Sequence, residues 1–434
     1  MQKYLLKLIA FSAIVVLSCG EEKISNSAPD LPHILLIMVD DMGVEVMKPY
    51  GGTSYVMPNL EKFAQNATVF SHCYSQPLCT PSRVKLMTGK GNWRNYEKFG
   101  YLNPSEYTFG NAMQEAGYKT VIAGKWQLGG GEANVHQFGF EEFSLWQLKE
   151  GDFWRRYKNP IININGEITD QKNGEYGPDI HSNFILDFFK KHKSSGNPVF
   201  AYYPMALVHD PFQPTPGEKD YSEKSFTDFS DTLYFKNMVT YMDKIFGKLV
   251  TGLDSLDMLE NTIVIFTGDN GTHPSILSRY QGQLVNGDKG NTTKFGTHVP
   301  LMVSWGKLNK FKVKTVERLV DFSDFLPTLS DLAKGKLPAN LKLDGISFYP
   351  DLIGEKGVAK PYIYCDYNAK GRDFKPKKYA FNQDYKLYET GDFYRFNQDF
   401  KEQNALPFND LTKSEKKVYN QLHQVIQAHQ SFEN

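Results

Sequence analysis

Four of the five short apolar runs in this chain end in, or shortly before, ionisable or amide side chains, and that pattern leaves few architectures open. The runs cover residues 34–39, 120–124, 199–203, 262–267 and 299–304. They are rich in β-branched and aromatic residues and lack a 3.6-residue period, so they read as strands buried on both faces. Amphipathic segments lie between them, at 59–66, 108–116, 179–192 and 232–253, the first opened by Pro58. Alternation of this kind predicts an α/β fold, a large mostly parallel sheet covered by helices. Ligands then bind beyond the carboxyl ends of the strands. At those ends the chain places Asp40-Asp41, Lys125, His209 and Asp269-Asn270.

The texture changes towards the C-terminus. Residues 322–333 carry a helical pattern, 335–340 a Gly- and Pro-containing loop, and from about 346 short aromatic-rich runs follow at 362–365, 379–381 and 386–388. These read as antiparallel strands of a small second unit, closed by a helix over about 414–428. The expected organisation is a catalytic domain over 31–345 and a small C-terminal subdomain over 346–434. There is no internal repeat and no low-complexity segment. Forty-nine basic and 49 acidic residues give a formal net charge of +0, which removes the basic footprint that nucleic-acid binding requires.

The N-terminus bounds the compartment. Lys3 and Lys7 precede an apolar run of about ten residues, too short to span a bilayer, so 1–19 reads as a secretory signal. Residues 20–30 are a polar tether. Of the four cysteines, Cys73 and Cys365 could bridge in an oxidising compartment, although two buried thiols are the preferred reading.

Two adjacent carboxylates after a buried strand are costly unless a cation matches them. Asp40 and Asp41, joined by Asp269 and the amide oxygen of Asn270, would form an all-oxygen site suited to Ca²⁺ or Mg²⁺ rather than zinc. Helix capping and a simple turn are the plainer alternatives for these two motifs. Between them lies Cys79-Thr80-Pro81-Ser82-Arg83. Pro and Ser suit a tight turn, and Arg83 can sit over an anion if the turn runs into a helix. A buried cysteine beside an ordinary turn is the plain alternative here.

That pentapeptide resembles the Cys-x-Pro-Ser-x-Arg type of motif of the type I sulfatases, members of the alkaline phosphatase superfamily, with the Arg here directly after the Ser. Ile37-Met38-Val39-Asp40-Asp41-Met42-Gly43 resembles the family's first metal motif and Phe266-Thr267-Gly268-Asp269-Asn270-Gly271 its second. Gly124-Lys125-Trp126, Val208-His209-Asp210-Pro211-Phe212 and Lys289-Gly290-Asn291-Thr292-Thr293 resemble its lysine and histidine motifs. The resemblance covers nearly the whole mature chain. It implies that a maturation enzyme converts Cys79 to formylglycine, whose hydrated form attacks sulfur. It further implies that Asp40, Asp41, Asp269, Asn270 and a hydroxyl of residue 79 bind calcium. Arg83, Lys125 and Lys289 would hold the sulfate oxygens or stabilise the diol, and His209 would protonate the leaving oxygen.

Two positions depart from the family. Gln127 stands where the family has a histidine two residues after the first lysine; it can hydrogen-bond the diol but cannot take its proton. His136 is a distant replacement. Lys294-Phe295-Gly296-Thr297-His298 replaces the usual Glu-Gly-Gly and Arg. Val16-Leu17-Ser18-Cys19 resembles a bacterial lipobox, which implies lipidation of Cys19 and an exported enzyme anchored through lipid alone, in the periplasm or at the outer surface of a Gram-negative bacterium. Such an enzyme meets sulfated glycans. Trp93, Arg94 and Tyr96, and Trp146 with the 154–157 segment, are candidate sugar contacts, Arg94 the sharpest among them. The rivals are a phosphodiesterase or phosphonate hydrolase of the same superfamily, and a glycan-binding lipoprotein whose active site is retired.

Overall fold

The computed structural model describes residues 31–149, 151–152, 154–223 and 230–430. The expected signal over 1–19, the expected tether over 20–30 and the lipidation expected at Cys19 fall on residues outside the described ones. The described residues belong to one compact unit. Its frame is an 11-stranded sheet. The strands are β1 (His33–Val39), β2 (Thr68–Tyr74), β3 (Lys119–Lys125), β4 (Glu142–Trp146), β5 (Ile161–Ile164), β6 (Glu167–Asp170), β7 (Val199–Met205) and β8 (Thr262–Gly268). A separate hairpin, β9 (Leu277–Tyr280) and β10 (Gln283–Asn286), precedes β11 (His298–Val299), β12 (Leu301–Trp305) and β13 (Thr315–Asp321), which complete the sheet. The order is β11-β2-β12-β8-β1-β7-β3-β4-β5-β6, with β13 on β2.

The centre, β8-β1-β7-β3-β4, is parallel, as the unbroken apolar runs require. β1, β7 and β8 are buried along essentially their whole length. Helices Pro58–Asn66, Gly177–His192 and Phe235–Ser255 supply apolar side chains on one side; Phe109–Glu115 and Phe325–Leu332 supply them on the other. The fifth apolar run departs from expectation. Pro300 cannot donate to a ladder, so the run divides into β11 and β12, both antiparallel to their neighbours.

β2 and β13 were not legible as strands. Thr68-Val69-Phe70-Ser71-His72-Cys73-Tyr74 mixes polar and apolar residues, and β13 alternates only at its start before becoming fully buried. Their pairing with each other carries Cys79 to the site. The C-terminal strands β14 (Ile363–Tyr367), β15 (Lys377–Phe381), β16 (Lys386–Tyr388) and β17 (Phe393–Tyr394) form the expected small antiparallel sheet, followed by helix Lys413–Gln430. Ile363, Cys365, Tyr379 and Phe381 pack on Tyr74, Leu78 and Leu319 of the main body. Cys73 and Cys365 are buried free thiols. Among the described residues no helix is long and apolar enough to cross a membrane.

Candidate active site

The register of the central strands brings the site together. Val39 lies opposite Met205 on one side and Gly268 on the other, so the chain leaves all three strands at one level. Asp269 N donates to the Val39 carbonyl (2.9 Å) and Asp40 N to the Leu207 carbonyl (2.9 Å), which sets Asp40 beside Asp269. β3 ends at the same rim with Lys125. Asp41 turns left-handed (φ +61°), a conformation that costs about 1–3 kcal/mol for a residue with a side chain. It is held there by its N–H, which donates to Asp269 Oδ1 at 3.1 Å.

Cys79 is the first residue of helix Cys79–Thr88, every residue of which is buried. The preceding Leu78 is extended and offers no side-chain cap. The free N–H groups and positive end of the helix therefore favour negative charge at residue 79. One turn later Arg83 places Nη2 3.0 Å from Asp269 Oδ2 and Nη1 3.0 Å from the Lys125 carbonyl. Burial works against its charge, but Asp269, Tyr202, Asp40 and Cys79 together outweigh it and raise the Arg83 pKa.

The other two predicted cations are matched in the same way. Lys125 Nζ lies 2.6 Å from Asp40 Oδ2 and Lys289 Nζ 2.7 Å from Asp41 Oδ2. Burial opposes the charge on Asp40, yet Lys125, His209 and Arg83 together hold it well below the usual carboxylate range. Asp269 moves the other way, raised by burial and then by the charge of Asp40. Arg83, Lys125 and Lys289 balance the three carboxylates in charge, so the case for a bound cation rests on acceptor atoms left without a donor.

Two oxygens remain to take it. Asp40 Oδ1 and Asn270 Oδ1 are buried and have no hydrogen-bond partner. The Asn270 amide is oriented by its Nδ2, which donates to Asp41 Oδ1 (2.8 Å) and the Gly271 carbonyl (2.9 Å). Orphaned acceptors of this kind are rare in a folded interior, and a carboxylate with an amide oxygen is the donor set of a hard cation. The residues present thus fit calcium. Atoms of Asp40, Asp41 and His209 also lie within 4.8 Å of one another.

Above this floor opens a cavity of about 480 Å³, lined in part by Cys79, Lys125, Gln127, His209 and Lys289. Arg83 does not line it; it lies behind the floor. His209 Nδ1 is 2.8 Å from Asp210 Oδ1, and its Nε2 is 3.8 Å from Asp41 Oδ2. Burial lowers the imidazole pKa, with Asp41 opposing. Gln127 is left-handed (φ +55°), its N–H donating to the Gln147 carbonyl at 3.1 Å, and its Oε1 is buried without a partner.

Of the candidate sugar contacts, Trp146 and Arg156 line the cavity, whereas Trp93, Arg94, Tyr96, Trp154, Arg155 and Tyr157 do not, nor does His136. Arg94 bonds Asp344 through Nε at 2.8 Å, and His136 bonds the Phe140 carbonyl at 2.9 Å. His298, in the divergent segment, is buried against Tyr74 with ring centroids 4.8 Å apart, a packing role. The sequence reading missed Asp210 as the partner of His209. It also missed Gln147, Phe99, Arg372 and Phe374 on the cavity wall. Asp210 was within reach, being adjacent to the histidine; the others sit in loops whose course depends on the fold.

The family model described as Sulfatase matches residues 32–336. The chain belongs to the sulfatase family. It is a type I sulfatase of the alkaline phosphatase superfamily, a sulfuric ester hydrolase. Mouse arylsulfatase J is 25% identical over 383 residues, covering 83% of this chain and 62% of that protein. Dog N-acetylgalactosamine-6-sulfatase is 28% identical over 378 residues, covering 78% and 69%. The fold matches the solved structure of Ps i-CgsB in complex with k-i-k-neocarrahexaose, with a TM-score of 0.76, 23% identity and 92% of each chain covered.

Proposed function

We propose that this sulfatase removes sulfate from a sulfated carbohydrate, using Cys79 matured to formylglycine and one calcium ion. The observation that carries the reading is the pair of orphaned buried oxygens, Asp40 Oδ1 and Asn270 Oδ1, in the carboxylate cluster under the cavity that Cys79 lines. Asp40, Asp41, Asp269 and Asn270 would hold the calcium, which neutralises sulfate charge and favours the ionised nucleophile. Formylglycine supplies a hydrated aldehyde, one hydroxyl for attack on sulfur and a second to expel sulfate.

The chain's own groups do the rest. Lys125 and Lys289 face the cavity and hold the sulfate oxygens, fixed positive charge being the main requirement of such a transfer. Arg83 acts from behind, fixing Asp269 and the turn at residue 79. Asp210 accepts from the Nδ1–H of His209 and favours the imidazolium form, whose Nε2–H is the proton for the departing alcohol. Gln127 orients residue 79 or substrate through its free Oε1. The carbohydrate assignment draws on the neocarrahexaose of the structural relative and on the expectation of an exported enzyme, lipid-anchored at Cys19.

The test is sulfate release from defined sulfated mono- and disaccharides by converted, calcium-loaded protein, beside matched phosphate esters. Release from sugar sulfates and not from phosphates is expected. Turnover confined to small aryl sulfates removes the carbohydrate assignment, and preference for phosphate esters removes the sulfate one.

A further inference from the structure

The three inner cations each face a carboxylate, but the cavity has two more guanidinium groups that do not. Arg156 and Arg372 both line it. Among the described residues no carboxylate comes within ion-pair distance of either, although Arg156 lowers the pKa of nearby Asp210, whose carboxylate is taken by His209. Both are fixed in place. The Arg156 guanidinium lies 4.6 Å from the Trp146 ring centroid, and its Nη2 donates to the Asp210 carbonyl. Its Nε is buried with no partner. Arg372 is exposed to solvent and lies 4.2 Å over the Phe99 ring.

The C-terminal sheet places Arg372 there. Tyr367 Oη donates to the Gly290 carbonyl at 3.0 Å. Phe374 fills the space beside Gly290, where a Cβ would come within 2.4 Å of its ring. The loop carrying Arg372 is thereby pinned next to Lys289. Two planar cations, backed by aromatic rings and lacking carboxylate partners, form a receptor for a planar or tetrahedral oxyanion.

A single sulfate ester occupies Lys125 and Lys289 and leaves these arginines unmatched. We infer that the substrate carries a second anionic group, a carboxylate or another sulfate, bound by Arg372 and Arg156. The inference rests on the carbohydrate reading above and narrows it to saccharides with at least two negative charges. Specificity would then come partly from the C-terminal sheet, which contributes nothing to the chemistry.

The test measures binding, so it does not depend on turnover. Cys79→Ala protein with calcium is titrated with three disaccharides: one carrying a single sulfate, one with a sulfate and a uronate carboxylate, one with two sulfates. The doubly charged ligands should bind more tightly, and the better of the two identifies the anion. Arg372→Ala should reduce the preference for doubly over singly charged ligand on the order of 10-fold. Arg156→Gln should do the same, with thermal melting as the check that it folds. Equal affinity for all three ligands, or a preference untouched by Arg372→Ala, overturns the inference while leaving sulfate hydrolysis standing. Converted wild-type enzyme that cleaves aryl sulfates but no sugar sulfate overturns the carbohydrate reading instead.

Discussion

Helix Cys79–Thr88 touches two buried charge clusters, and they have opposite characters. Arg83 joins Asp40, Asp41 and Asp269; Lys85, two residues later, joins Asp321, Asp324 and Lys360. The second cluster is saturated. Asp321 accepts from Lys85 Nζ (2.8 Å), Lys360 Nζ (2.9 Å) and Ser323 N (3.0 Å). Asp324 accepts from Asp321 N (3.0 Å) and Ile346 N (2.7 Å), and it faces Lys360 Nζ at 2.7 Å. None of their carboxylate oxygens is left over, whereas the first cluster keeps Asp40 Oδ1 and Asn270 Oδ1 open. Buried charge alone therefore does not mark a site. An acceptor left without a donor, next to a cavity, does.

The largest test of this contrast is Cys79→Ala. It should reduce sulfate release on the order of 10⁴-fold or more, as loss of a covalent nucleophile does, with the melting temperature barely changed. Substantial residual turnover would break the assignment of the first cluster. Asp40→Asn or Asn270→Ala should come next. Either should reduce bound calcium, read by elemental analysis, and lower kcat/KM on the order of 100-fold or more, since a direct ligand matters more than its supports. Chelation of the wild type should reproduce that loss, and added calcium should reverse it. Asp321→Asn should leave calcium binding alone.

Lys85→Met tests the saturated cluster. Removing one partner of a buried ion pair costs about 3–5 kcal/mol, so the urea midpoint should fall while kcat/KM of the folded fraction holds. A normal midpoint with lost activity would reverse the roles of the two clusters.

The smallest effect sets the conditions for these comparisons. His181, buried beside the Ser144 hydroxyl, has its pKa lowered by burial to about 3. The unfolded chain binds this proton near pH 6.5 and the folded chain does not. The resulting stability is fully present above about pH 6.5 and is lost as pH falls towards 3. The midpoints of the cluster variants should thus be compared above pH 6.5. His181→Asn should flatten the acid limb between those values.

Much of this architecture was legible in the residues. Continuous apolar runs gave the parallel centre, because a strand covered on both faces has no polar side to show. Their polar endings gave Asp40, Asp41, Lys125, Asp269 and Asn270, because ligand sites in such sheets lie at strand ends. β2 and β13 were hidden by mixed polarity, and β12 was legible as a strand but not in its direction. Arg94 was chosen for its aromatic neighbours, and Asp344, 250 residues away in sequence, holds it instead.

By itself, then, the sequence determined the parallel centre of the sheet, its chemical rim and the family, since these follow from local pattern and from short motifs. Only the tertiary structure decided which charges are matched and which are free. Pairing depends on partners distant in the chain, such as Arg156 against His209 and Asp210, or Phe374 against Gly290. Two oxygens without a donor on the floor and two arginines without a carboxylate partner on the wall are the groups on which the proposed cation and second anion rest.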